Sequence, residues 1–364
     1  MRAIARAMAV LCALIGHVLA RCSDTPKKLS ASEVSARPAP LDACEKAVGE
    51  WCGQFLKTVS RAGEEAPCMA VAYSAGADST ALLLALRRQW RGRVVALHVH
   101  HGLQAAADDF EACAKTVCAS LGIELHTARL DASPSSGQSP EDAARIARYG
   151  ALAQLAQQAG AACVLLGQHA DDQVETLLLA LSRGAGLPGL AAMPGRFIRH
   201  GMCFGRPFLD VSGATLRAYV TSQSVAYVTD PTNADERYTR NRIRAVLSPA
   251  WERCFPGYRA MLLRSARHAA QAQHLLDDLA RLDLERVGLP PGIAALQTLS
   301  RERQANVVRY WLRTSAQVAP SAAQLDELLD QVDNCTTRGH SIRLKVANAF
   351  VCRSGDRLVY GPSI

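Results

Sequence analysis

The chain has 364 residues, 49% hydrophobic and 20% charged, proportions of an ordinary globular protein with length for two or three domains and a substantial core. Its net charge of +8 points to a polyanionic partner, and the surplus is local: residues 196–267 hold twelve Arg, no Lys and five acids, a balance of +7. The twelve cysteines are scattered without any C-x-x-C, which excludes the usual zinc and iron–sulfur spacings and fits reduced thiols in a reducing compartment.

Arg2 and Arg6 precede an apolar run over residues 7–20 that imitates a signal peptide. The run is too short to span a membrane comfortably, and Arg21-Cys22 is a poor cleavage or lipidation site. Residues 1–42 therefore read as a disordered extension, a genuine signal being the minor alternative, with a Ser-, Lys-, Ala- and Pro-rich linker over 23–42. An amphipathic helix follows over 42–60, then an apolar strand over 68–73. After the strand comes Ser74-Ala75-Gly76-Ala77-Asp78-Ser79, a run of small residues ahead of a helix at 80–90. Strand, small-residue loop and helix N-terminus together make an anion site, because free N–H groups and the positive helix end face the loop. Ser74 and Ser79 add hydroxyl donors, and Asp78 can hold Mg²⁺ or orient the loop. There is no G-x-x-x-x-G-K-[ST], so this is not the ordinary P-loop.

Strands at 94–100, 123–130 and 163–167 alternate with helices at 105–121, 139–158 and 172–182. Pro140 after Ser139, with acids in the first turn, marks the start of the middle helix. This alternation predicts an α/β fold with a doubly wound parallel sheet, whose ligands bind beyond the carboxyl ends of the strands. From about residue 249 the pattern changes to long helices at 258–287, 300–316 and 320–332. Residues 340–360 then alternate like a small sheet, so the C-terminal part is expected to be a helical and small α+β domain.

Four constellations carry chemistry. His98, His100 and His101, with Gly102, close the second strand. Zinc would need ligands from other elements, so a ring bordering a nucleotide is favoured, and a packed core histidine is the plain alternative for His98. Glu141, Arg145 and Arg148 share one helix face, which alone would read as a solvated salt-bridge face. His169, Asp171, Asp172 and Glu175 lie where the fourth strand meets a helix. Their carboxylates can hold Mg²⁺ or position and deprotonate an amine, whereas helix capping accounts for only one or two of them. The last set, Arg183, Arg206, Asp230, Asn233 and the run Arg240-Asn241-Arg242-Ile243-Arg244, is weak piece by piece.

Together and in this order the motifs resemble one family, the tRNA(Ile)-lysidine synthetases within the PP-loop ATP pyrophosphatases, over residues 69–263. One position departs: the family's S-G-G-x-D-S loop has Ala75 at its first glycine. If that position needs a positive φ, alanine is strained by roughly 1 kcal/mol. The resemblance implies a ligase that uses ATP and Mg²⁺ to adenylate the wobble cytidine of tRNA(Ile) with a CAU anticodon. L-lysine then displaces AMP, forming a C–N bond.

It also implies site roles. Ser74, Ala75, Gly76, Ala77, Asp78 and Ser79, with His98, His100 and Gly102, hold the nucleotide. Asp78, His169, Asp171, Asp172 and Glu175 are catalytic, with Asp78 and Asp172 on the metal; which acid meets lysine stays open. Glu141, Arg145, Arg148, Arg183, Arg206, Asp230, Asn233, Arg240, Asn241, Arg242 and Arg244 face tRNA or lysine. The catalytic domain is expected over 43–248 and a helical linker with a small tRNA-binding domain over 249–364, in a cytoplasmic protein without a membrane segment. A homodimer stays open, as do two other classes: a different PP-loop enzyme (a thiolase or an amidating synthetase) and a degenerate RNA-binding module.

Overall fold

Continuous runs of small and branched apolar residues make strands that can be buried on both faces, and β1 (Cys68–Ala72) shows the consequence. In the computed structural model, which describes residues 40–59, 65–100, 106–130, 140–230, 235–337 and 339–362, Met69 and Val71 face one core cluster and Ala70 and Ala72 the other. The first cluster is completed by α1 (Pro40–Val59), α2 (Ala77–Gln89), α3 (Ala106–Leu121) and α7 (Gly213–Ser222). The second is covered by α4 (Pro140–Gln158), through Tyr149, Leu152, Leu155 and Ala156. Helices on both faces make the sheet doubly wound, as expected.

The strand order is β3-β2-β1-β4-β6-β5, with β2 (Val94–His100), β3 (Glu124–Arg129), β4 (Ala161–Leu165), β5 (Arg196–Arg199) and β6 (Met202–Gly205). Five strands are parallel, as the expected doubly wound parallel sheet requires, and β5 adds an antiparallel edge beside β6. The β5–β6 hairpin and α7 were hidden in the sequence by short length and surrounding Gly and Pro. Because β2 and β4 flank β1 on opposite sides, the sheet has its switch point between β1 and β4, where such folds bind ligands. The loop after β1 and the segment leading into α5 (Ala170–Ser182) therefore meet across one crevice.

After α5 come the short α6 (Leu187–Leu190), the hairpin and α7, then α8 (Thr239–Arg242), a π-helical turn at Ile243–Leu247 and α9 (Ser248–Cys254). The 30-residue α10 (Tyr258–Val287) leads to α11 (Ile293–Leu296), α12 (Arg301–Ala316) and α13 (Ala322–Asp333). An antiparallel meander of β7 (Arg343–Val346), β8 (Ala349–Ser354) and β9 (Arg357–Gly361) ends the described chain. Helices and meander share a separate core in which Trp311, Leu312, Leu328, Val351 and Leu358 are buried. No helix among the described residues is long and apolar enough to cross a membrane. The expectations placed on residues 1–39 lie outside the described residues.

Candidate active site at the switch point

The loop after β1 is built by its own small residues. Ala75 takes φ +62°, the left-handed conformation anticipated for that position. It is fully buried, and its carbonyl accepts the Val228 N–H at 2.9 Å. The Ser79 hydroxyl accepts the Ser74 N–H at 3.2 Å, lies 3.1 Å from the Ser74 hydroxyl and donates to Gly76 O at 3.1 Å. Gly76 caps α2 without a side chain, leaving the first N–H groups of the helix to a ligand.

Across the crevice, His169 caps α5. Its Nδ1 accepts the Asp171 N–H at 3.2 Å, and Asp172 reaches back to accept the His169 N–H at 3.0 Å, a reciprocal capping box. His169 Nε2 then lies 3.6 Å from Asp78 Oδ2 and 3.7 Å from Asp172 Oδ2. Gly167 makes the approach possible: a Cβ there would sit 3.1 Å from the backbone of Asp78. Burial pushes the Asp78 carboxyl upward, with His169 opposing and Asp172 adding to the shift. Its Oδ1 is buried without a hydrogen-bond partner.

The remaining acids are held by arginines. Burial alone would raise Asp171, but the Gly213 N–H at 2.8 Å and Arg259 Nε at 2.7 Å hold it below the usual carboxylate range. Glu175 is 1% exposed, and its burial outweighs the two hydrogen bonds from Arg244, so its carboxyl is raised. Arg244 also reaches Asp172 Oδ1 at 3.0 Å. It projects from the π-helical turn, a device that re-aims side chains at functional sites.

Not every expected residue lies here. His98 is buried with Nδ1 2.9 Å from Tyr73 O, pinning the strand end below the loop, which is the packed-core alternative. His100 is also buried, 3.3 Å from Asp108. His100, Asp108 and Glu111 offer ligand atoms within 4.8 Å of one another, yet Glu111 is engaged by Lys115 at 2.7 Å and Arg129 at 3.2 Å.

Arg206, expected on the tRNA-facing set, is buried and acts as a strut. It donates to Gln168 at 2.6 Å and Pro194 O at 2.8 Å, with its guanidinium 4.3 Å over the Phe197 ring. Asn241 is likewise buried and closes its own loop through Asp235 O at 2.9 Å. Arg244 lies with the carboxylates rather than in a row with Arg240 and Arg242. Arg145, Arg148, Arg183 and Arg242 are exposed, and Arg240 and Asp230 are half-buried. Gly102, Asn233 and the Glu141 side chain lie outside the described residues.

Sequence reasoning missed Arg259, the Gly213 N–H and Gln168. Arg259 stood inside the arginine-rich stretch without a motif, and a backbone donor carries no sequence signal.

A sheet with this loop at its switch point and acids opposite defines a PP-loop nucleotide-using domain, and residues 49–251 match the family described as the PP-loop domain. Residues 292–359 match a second family, the TilS substrate binding domain. The tRNA(Ile)-lysidine synthase of Polaromonas naphthalenivorans is 60% identical over 292 residues, covering 80% of this chain and 89% of that protein. The enzyme of the same name from Bordetella bronchiseptica is 38% identical, covering 88% and 96%. For Burkholderia pseudomallei the figures are 44%, 76% and 58%, so the chain spans little over half of that longer relative. The chain belongs to the tRNA(Ile)-lysidine synthase family.

Proposed function

We propose that this chain is a working tRNA(Ile)-lysidine synthase: it joins lysine to C2 of the wobble cytidine in an isoleucine tRNA with a CAU anticodon, consuming ATP and releasing AMP and pyrophosphate. The observation that carries the reading is the meeting of a phosphate-cradling loop with an acid cluster, Asp78 and Asp172 lying 3.6 and 3.7 Å from His169 Nε2. In the first half-reaction the cytidine C2 oxygen attacks the α-phosphorus of ATP and the bond to pyrophosphate breaks. The free N–H groups at the start of α2 and the Ser74 and Ser79 hydroxyls face the charge that develops on the leaving group, where fixed donors help most.

In the second half-reaction the lysine amine attacks C2, and AMP departs with the oxygen. The amine arrives as an ammonium that must be held and then lose a proton to a nearby base. Asp172 and Glu175 suit it, since Arg244 already demonstrates that the pair accepts a cation. Asp171 is tied to Gly213 and Arg259 rather than to Arg244, and its Oδ2 lies 3.6 Å from His169 Nδ1, which makes it a positioning residue for His169. The buried, unpartnered Asp78 Oδ1 beside Asp172 suits a hard cation, so these two residues would hold Mg²⁺, which when bound neutralises phosphate charge.

Residues 43–248 form the catalytic unit in this reading. Residues 249–364 form the helical linker and tRNA-binding unit of a cytoplasmic enzyme.

The test is product analysis with the full chain. Pyrophosphate release should require tRNA and ATP, and AMP release with lysine incorporation should require all three substrates. Glu175→Gln should keep tRNA-dependent pyrophosphate release while raising the lysine requirement at least tenfold. ATP turnover that ignores both tRNA and lysine would overturn the assignment.

A further inference from the structure

Two cysteines that the chemistry above does not use lie side by side beneath the site. Cys163 on β4 and Cys203 on β6 are direct partners across parallel strands, and their Sγ atoms are 3.1 Å apart. Neighbouring strands lie about 4.8 Å apart, within the Cα separation of about 4.4–6.8 Å that a disulfide accepts. The sulfurs need approach by only about 1 Å to reach bonding distance. Cys163 is fully buried and Cys203 half-buried. The two thiols thus differ in access as well as in environment. The hydrogen bond from Cys163 pulls the Cys203 thiol down to about 7, against its burial and with help from the Arg196 charge. The same hydrogen bond, and burial, push the Cys163 thiol up. A more accessible thiol of lowered pKa with a second thiol in contact is the arrangement that reacts with oxidant and then closes on its neighbour.

We propose that Cys163 and Cys203 form a reversible dithiol–disulfide pair, in which Cys203 meets a small hydroperoxide and Cys163 resolves the product. The Cys203 thiolate attacks one peroxide oxygen, the O–O bond breaks, and the departing hydroxide takes up a proton as water. Cys203 is then a sulfenic acid. The Cys163 sulfur attacks it, the S–O bond breaks as the S–S bond forms, and the second water leaves with the Cys163 proton. Two thiols lose two electrons, and hydrogen peroxide is reduced to two waters. A small dithiol reverses the bond by exchange, attacking first at the more accessible Cys203. The cross-link would tie β4 to β6 just before β4 runs into Gly167 and the His169 cap.

The test treats the full chain with equimolar hydrogen peroxide, blocks remaining thiols and maps peptides by mass. A Cys163–Cys203 linked peptide is expected, lost on dithiothreitol treatment, with Cys203 oxidised at least tenfold faster than the exposed Cys254. In Cys163→Ser, dimedone should trap Cys203 as sulfenic acid; in Cys203→Ser, Cys163 should stay reduced. The linked peptide in the unmodified chain is read independently of whether either variant folds. Oxidation of Cys203 to sulfinic acid with no linked peptide would overturn the proposal. So would oxidation of Cys254 ahead of Cys203, or oxidation of Cys163 at an undiminished rate in Cys203→Ser.

Discussion

Ala75 and Asp78 both spend stability on the loop, in different ways. A non-glycine residue at φ +62° costs about 1 kcal/mol, and the Val228 N–H bond to its carbonyl holds it there. Ala75→Gly relieves that strain while loosening the unfolded chain, two effects of similar size. The expected result is a melting temperature changed by no more than a few degrees and adenylation kept. A tenfold loss of ATP–pyrophosphate exchange would assign the methyl group a role in the turn.

Asp78 is the sharper case. One carboxylate oxygen is buried without a partner on a side chain that is 43% exposed, so the cost falls toward the lower end of the roughly 1–3 kcal/mol of a fully buried group. Asp78→Ala should therefore raise the thermal midpoint while lowering adenylation by roughly 10²-fold or more. Thermal melts and pyrophosphate release on the same sample measure both. A variant that loses stability together with activity would make Asp78 a structural residue.

At the scale of elements, the N-terminus of α5 and the π-helical turn depend on one another. Arg244 is 41% exposed as a side chain, but its partner Glu175 is sealed. Arg244→Ala leaves that carboxylate buried and uncompensated, which costs about 3–5 kcal/mol for a fully buried pair and less where one partner is half-exposed. A loss of about 2 kcal/mol is expected. The double variant Arg244→Ala with Glu175→Gln should recover part of it, because the stranded charge is gone. Denaturant unfolding of the unmodified chain, the two single variants and the double variant closes the cycle, and equal stability of Arg244→Ala and the double variant would mean that Glu175 simply protonates.

The same region marks where sequence stops being informative. His169, Asp172 and Glu175 were legible because strand end, cap and helix periodicity place them locally. Arg206 and Arg244 look alike in sequence, since an arginine beside Pro or in a basic run reads as surface. What separates them is tertiary: Arg206 is enclosed by Gln168, Pro194 and Phe197, and Arg244 is turned inward by a backbone irregularity with no residue signature. The Rossmann-like strand alternation was legible for the same local reason as the cap. The short antiparallel β5 was not, being four residues of mixed exposure.

Across the whole molecule, the arginine surplus of residues 196–267 divides into inward and outward sets. Arg206, Arg244 and Arg259 are spent on Gln168 and the acid cluster. The outward set includes Arg242, exposed on α8, and Arg240, half-buried one turn from the site. A tRNA phosphate neutralised by a side chain releases counterions, so each lost contact lowers the slope of log affinity against log salt by about 0.7–0.9. Replacing Arg240 and Arg242 together with Gln should flatten the slope by about 1.5 and weaken binding most at low salt, with the fold intact. Arg206→Met should instead lower the unfolding free energy by about 2 kcal/mol or more, through the stranded Gln168 and Pro194 acceptors. Its salt slope should stay unchanged. Filter-binding titrations of tRNA(Ile) from 50 to 300 mM salt, roughly spanning the range where counterion release dominates, distinguish the two. A flattened slope in Arg206→Met, or an unaltered one in the Arg240 and Arg242 variant, would reverse the division.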